Sequence, residues 1–163
     1  MIDKRKYYSV ALAAGLGIAL DQLTKMLAVQ HMKENQEIPI IPGFFDLTLR
    51  HNTGAAFSLF ASKPSVFFFL ISLVAIGALF YFIRQLDWDQ KQQLIALGAI
   101  LGGALGNLVD RIRMGSVVDF LLLYHKSISW PAFNVADSLI VIGVFVFLWY
   151  NLRQENEKKK KAR

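Results

Sequence analysis

The chain contains no cysteine, which excludes disulfides, thiolate catalysis and cysteine-ligated metals together. Histidine is scarce: His31, His51 and His125 stand far apart, without metal-ligand spacing and without any His-Glu-x-x-His pattern. Ser138 lacks the Gly-x-Ser-x-Gly setting of a serine nucleophile. No glycine-rich loop follows a strand, so a phosphate cradle has no support either. The expectation is a chain with no metal and no cofactor. Its formal net charge is +6, yet no DNA- or RNA-binding motif accompanies the charge, and nucleic acid is not an expected partner.

Apolar sequence is what the chain has in quantity. Hydrophobic residues make up 55% of it, mean hydropathy is +0.40, and these residues come in long blocks rather than narrow stripes. That favours a membrane protein over a soluble core. Four spanning helices are expected, over about 8–29, 66–84, 93–113 and 133–151. The fold class is therefore a mainly α membrane protein with a small extracytoplasmic β-rich platform. Residues 1–152 read as one integral membrane domain, and 153–163 as a basic, disordered cytoplasmic tail.

Along the chain, the run from Tyr8 to Leu20 is too short to span alone and continues to Val29 with Asp21, Gln22, Thr24 and Lys25 embedded. Asp21 and Lys25 are spaced i, i+4 and share a helix face. Ala11-Leu12-Ala13 resembles a signal-peptide cleavage site, but the apolar run before it is short and continues past it. The segment around 36–62 contains Pro39, Pro42 and Gly43. Alternation over Phe45–Leu49 suggests a strand, His51–Gly54 a turn, and Ala55–Phe60 a second strand or an interfacial segment. Val66–Ile83 is the cleanest span. Leu94–Val109 carries Gly98, Gly102, Gly103 and Gly106 in overlapping small-xxx-small patterns that allow close helix approach. Residues 114–132 read as a loop holding Asp119, and Asp137 falls in the first turns of the last helix, where the helix dipole favours a carboxylate.

Lys4, Arg5, Lys6, Arg84, Lys91 and the run Lys158–Lys161 fall on one side of a four-helix topology. The positive-inside rule assigns that side, with both termini, to the cytoplasm. Asp21, Lys25, Asn52, Asn107, Asp110, Arg111, Asp119, Asn134 and Asp137 then all fall at the outer side. Ionisable groups in or near a membrane are functional candidates by default. Two facing carboxylates can share a proton, one acting as base towards water and the other as acid; Asp119 and Asp137 are the candidate pair. Several of the others also admit structural roles. Asp110-Arg111 reads as an ion pair or helix-end anchor, Asp21-Lys25 as an intramembrane pair, Asn107 and Asn134 as interhelical ties, and Asn52 as a turn residue. A small proton-coupled transporter using the same carboxylates, or a scaffold without chemistry, remains open at this point.

Five blocks carry a resemblance. They are Asp21-Gln22-Leu23-Thr24-Lys25, His51-Asn52-Thr53-Gly54-Ala55-Ala56-Phe57, Gly106-Asn107-Leu108-Val109-Asp110-Arg111, Gly115-Ser116-Val117-Val118-Asp119-Phe120 and Phe133-Asn134-Val135-Ala136-Asp137-Ser138. In this order, over about residues 8–150, the chain resembles bacterial lipoprotein signal peptidase (signal peptidase II). The resemblance implies an aspartic endopeptidase of the bacterial inner membrane. It would remove the signal peptide from diacylglyceryl-modified prolipoproteins by cutting just before the lipidated cysteine. Asp119 and Asp137 match the catalytic aspartates. Asn52, Gly54, Asn107, Arg111, Asn134 and Ala136 match positions that line or support the substrate site, with Asp21, Lys25 and Asp110 as supporting residues. Implied partners are prolipoprotein substrates, membrane lipids and globomycin-type inhibitors, and the 36–62 segment would be a periplasmic β-cradle.

Overall fold

The computed structural model describes residues 4–53, 65–126 and 128–161. In chain order they form α1 (Arg5–His31), β1 (Glu37–Ile41), β2 (Phe45–Asn52), α2 (Ser65–Gln85), α3 (Lys91–Met114), β3 (Val117–His125), β4 (Ile128–Ser129) and α4 (Val135–Lys161). All four helices are long and apolar enough to cross a membrane. Their outward faces carry bare apolar side chains such as Leu12, Leu16, Val74, Val141 and Phe145, a surface suited to lipid rather than water.

α3 is the inner helix. In its most apolar stretch 67% is buried, against 11% for α2 and for α4, and it packs on α1, α2 and α4 alike. Glycine makes this possible. A Cβ on Gly102 would sit 2.7 Å from the Ala14 carbonyl oxygen, and one on Gly98 2.7 Å from the Ala13 side chain. The two helix backbones thus meet through small residues, as the spacing predicts. At the end of the bundle that holds the chain termini, Val10, Ile83, Leu94, Leu97 and Leu101 close the core. At the other end Ala28, Leu49, Val118 and Phe120 join α1 to the sheet.

The sheet is antiparallel, in the order β1-β2-β3-β4. β2 is the strand expected over Phe45–Leu49, extended to Asn52. The segment after α3 differs from its reading as a loop: Val117–His125 is a strand paired to β2, with Arg50 opposite Asp119 and Asn52 opposite Val117. Val-Val-Asp-Phe-Leu-Leu-Leu lacks the alternation of a one-sided strand because both its faces are covered: Val117 to Phe120 and Leu122 are buried, and Leu121 and Leu123 partly so. Gly115 makes the reversal possible. Its φ of +70° is the left-handed helix cap, and its N–H bonds the Arg111 carbonyl. The last helix also differs from the expected bounds. It begins at Val135, because Phe133 still pairs with Leu121 of β3. It continues to Lys161 instead of ending near 151 in a disordered tail. Gly54 and the Ala55–Phe60 segment lie outside the described residues.

Candidate active site

The start of α4 supplies the first carboxylate. Asn134 caps the helix: its Oδ1 accepts the N–H of Asp137 at 3.0 Å, while Asp137 Oδ2 accepts the N–H of Asn134 at 3.1 Å. This is a reciprocal capping box, with asparagine and aspartate in the two positions. Another free N–H of the first turn, that of Ala136, donates to Asp21 Oδ1 of α1 at 2.9 Å. Asp21 therefore satisfies an orphan donor at the positive end of the helix.

β3 supplies the second carboxylate, and Asn134 links the two. The Asn134 Nδ2 donates to Asp119 Oδ1 at 2.8 Å, and Asn52 Nδ2 of β2 donates to Asp119 Oδ2 at 2.9 Å. The strand register slips between Leu47 and Arg50, an irregularity of the kind that re-aims side chains beside functional groups. Asn107 of α3 completes the ring by donating its Nδ2 to Asp137 Oδ1 at 2.8 Å.

The amide orientations follow from chemistry. The Lys25 ammonium can only donate, and it lies 2.8 Å from Asn107 Oδ1, so the other end of that amide must point its N–H at Asp137. The Asp137 backbone N–H holds Asn134 Oδ1 in the same way, which turns Nδ2 towards Asp119. Asn107 and Asn134 thus meet the two carboxylates with donors whose direction is set by a donor-only group behind them.

Behind the pair, Lys25 lies 2.9 Å from Asp21 and 2.8 Å from Asp110. Asp110 Oδ2 also accepts the Val118 N–H at 3.2 Å, which fixes β3 one residue before Asp119. The expected Asp110-Arg111 ion pair gives way to this arrangement. Asp110 is committed to Lys25 and the strand, whereas Arg111 places Nη1 on the Asn107 carbonyl at 3.3 Å and lies within electrostatic reach of Asp137 and Asp119. Gln22 was not a candidate by sequence, yet its Nε2 donates to Asp110 Oδ1 at 2.8 Å and to the Gly106 carbonyl at 3.2 Å. The available signal was an uncharged polar side chain beside Asp21 in a spanning helix. Gly106 itself lies against the Asp21 carboxylate with no room for a side chain.

Asp119 is only 3% exposed. Burial pushes its carboxyl up to about 7, with the Asp137 charge adding to the rise and the Asn52 and Asn134 amides opposing it. Among the described residues no group of three or more His, Asp or Glu side chains is placed to hold a metal ion.

A family model described as "Signal peptidase (SPase) II" matches residues 13–153. The chain belongs to the signal peptidase II family. The lipoprotein signal peptidase of Geobacter sulfurreducens is 46% identical over 154 residues, covering 93% of this chain and 96% of that protein. That of Geobacter metallireducens is 39% identical over 161 residues, covering 96% and 98%. A solved bacterial membrane enzyme superposes with a TM-score of 0.81 at 32% identity, over 91% of this chain and 90% of its own. These comparisons support lipoprotein signal peptidase function and a protease; the transporter alternative finds no support in them. Of the residues that the resemblance pointed to, Asp21, Lys25, Asn52, Asn107, Asp110, Asp119, Asn134, Ala136 and Asp137 form one hydrogen-bonded and ion-paired cluster. Arg111 stands at its edge, and Gly54 lies outside the described residues.

Proposed function

We propose that Asp119 and Asp137 are the catalytic dyad of an aspartic lipoprotein signal peptidase acting on diacylglyceryl-modified prolipoproteins. The observation that carries this reading is the bridging of both carboxylates by Asn134. Two acids joined by one side chain in a buried pocket hold one proton between them near neutral pH. The ionised member takes a proton from water. The resulting hydroxide attacks the carbonyl carbon on the signal-peptide side of the lipidated cysteine, and the protonated member gives its proton to the carbonyl oxygen. As the tetrahedral diol collapses and the C–N bond breaks, the carboxyl that took its proton from water gives it to the departing amine of the cysteine, and a hydroxyl of the diol returns its proton to the other carboxylate, so the dyad again holds one proton.

The other side chains divide by contact. Asn52, Asn107 and Asn134 orient the carboxylates. Arg111, with Gly54 and Asn52, meets the extended substrate backbone, whose polar groups need partners where the signal peptide unwinds. Ala136 is fully buried and holds α4 to Asp21. Asp21, Lys25 and Asp110 support the site from behind. The distribution of lysine and arginine supports cytoplasmic termini in the bacterial inner membrane, which puts the dyad at the outer interface, where a scissile bond would emerge from lipid. Membrane lipids surround the helices, and a globomycin-type cyclic peptide would occupy the same site.

The test is cleavage of a diacylglyceryl-modified prolipoprotein by the purified chain, with and without a chelator. Cutting just before the lipidated cysteine, unaffected by chelator, is the expected result. Loss of cleavage on chelation, or no cleavage by demonstrably folded protein, overturns the reading.

A further inference from the structure

The charged cluster has a second opening, between α1 and α3. The two helices meet closely as far as Gly106, which lies against Asp21. Beyond that contact a cleft of about 440 Å³ opens, bordered by Leu23, Met26 and Gln30 of α1 and by Arg113 of α3. Gln22, Lys25 and Asp110 also line it, whereas neither Asp119 nor Asp137 does. Leu23, Met26, Gln30 and Arg113 are exposed.

Polarity changes along the cleft with height. The guanidinium of Arg5 and the ammonium of Lys91 both lie over the Trp88 ring, at the end holding the termini, and a tryptophan of this kind marks a membrane interface. At 1.5 Å per residue, Leu23 stands about 27 Å above Arg5, Met26 about 32 Å and Gln30 about 38 Å, while Arg113 stands about 33 Å above Lys91. A hydrocarbon core is about 30 Å thick. Leu23 is therefore within hydrocarbon and Met26 at its boundary. Gln30 and the outward-reaching Arg113 stand among headgroups.

The polar groups deeper in the cleft are already paired. The ammonium of Lys25 spends its three donors on Asp21, Asp110 and Asn107, and Gln22 donates to Asp110 and to the Gly106 carbonyl. Two acids against one base leave that level without attraction for an anion. At the rim the balance is opposite. Among the described residues the Arg113 side chain has no hydrogen-bond or ion-pair partner, and neither has that of Gln30. A guanidinium presents paired donors that match a phosphodiester.

We infer that this cleft seats one anionic phospholipid of the leaflet at the sheet end, with its phosphodiester on Arg113 and Gln30 and a chain along Met26 and Leu23. The order of an unpaired cation, a boundary thioether and an apolar wall is that of a phospholipid from phosphate to chain. A zwitterionic lipid fits less well because its own cation competes with Arg113 for the phosphate. The inference uses the membrane placement of the helices and goes beyond the peptidase chemistry, on which it does not depend.

The absence of cysteine makes a single-site test possible. Leu27→Cys places one fluorophore beside the cleft, and Val66→Cys places one on the exposed face of α2 at a similar height. The full-length protein is reconstituted in phosphatidylcholine containing a small fraction of brominated phosphatidylglycerol or, separately, brominated phosphatidylcholine. At Leu27→Cys the anionic quencher is expected to show about fivefold higher relative affinity, falling towards parity in 1 M salt. At Val66→Cys the two quenchers should match. Arg113→Gln should abolish the preference. So should Met26→Trp, which fills the cleft and leaves Arg113 in place. Parity at Leu27→Cys overturns the site, as does an equal preference at Val66→Cys. A preference that survives Met26→Trp shows that Arg113 attracts lipid without the cleft, and overturns it too. Shielding of the Leu27→Cys label from both quenchers, growing with protein density in the bilayer, would give the cleft to a second copy of the chain instead.

Discussion

Two polar clusters lie at opposite ends of the helix bundle, and they are built differently. At the end holding the termini, Gln90, Gln93, Asn151 and Gln154 exchange neutral amide hydrogen bonds of 3.2 to 3.4 Å between α3 and α4. Among the described residues the one buried charge there, Lys6, closes the C-terminus of α2 by donating to the Leu86 and Arg84 carbonyls at 2.7 and 3.1 Å, where the helix dipole favours a cation. At the sheet end, Asp21, Lys25, Asp110 and Asp119 are each 3% exposed or less, with Asp137 beside them. Neutral amides suffice to hold membrane helices together. Retaining like charges in a buried site works against stability, and a scaffold has no use for that. The difference supports reading one end as glue and the other as the proposed catalytic site.

The sharpest way to break this comparison is to neutralise the dyad. Asp119→Asn and Asp137→Asn should each lower cleavage by on the order of 10³ to 10⁴ while the protein still folds and inserts. Stability should move the other way at alkaline pH. The Asp119 carboxyl sits at about 7 in the folded chain, above its unfolded value of about 3.9. Its contribution to stability is therefore present at low pH and lost as pH rises through about 7. At pH 8, Asp119→Asn should melt at least about 3 °C above the unaltered chain. A variant that is both inactive and less stable at pH 8 would make Asp119 part of the glue.

Next in size is Lys25→Met. It leaves Asp21 and Asp110 buried without their shared cation, a loss of about 3–5 kcal/mol, and it frees the Asn107 amide that faces Asp137. Thermal melting should show the destabilisation, and adding Asp110→Asn should recover part of it. Recovery of stability without recovery of cleavage would separate the orienting role of Lys25 from its structural one.

A smaller effect should appear in the pH profile. If the proposed mechanism needs a proton on Asp119, whose carboxyl is pushed up to about 7, kcat/KM should fall about tenfold per pH unit above that point. The two carboxyls titrate as a unit, and the apparent value belongs to the pair. A rate that stays flat to pH 9 would show that no shared proton is needed.

The helices were legible in the sequence because apolar length is a strong signal. Val66–Ile83 needs nothing else, and the glycines of α3 announce close packing before any neighbour is known. The site was legible in part. The motif blocks named its members, and topology gathered them to one end, but neither could say who bonds whom. Asp110 and Arg111 are adjacent and opposite in charge, yet Asp110 turns to Lys25, 2.8 Å away on another helix. β3 was missed because a strand covered on both faces has no period to read. Gln22 was passed over because an uncharged amide in a helix usually signals only packing. The cleft beside Arg113 is assembled from α1, α3 and β3, and no stretch of sequence announces it.

The smallest predicted effect is the most direct test of the contrast between the two ends. Gln93 is fully buried and bonds Asn151 and Gln154, so it is as deeply set as any member of the proposed catalytic cluster. If burial alone marked function, Gln93→Leu would impair cleavage. Interhelical amide bonds in membrane proteins contribute about 0.6 kcal/mol, so the substitution should lower melting by only about 1–2 °C and leave kcat/KM within about twofold. The orphaned amides of Asn151 and Gln154 can turn to the interfacial water near the chain termini, which keeps the loss small. A tenfold fall in cleavage would mean that the two ends communicate through α3, the one helix that carries both Gln93 and Asn107.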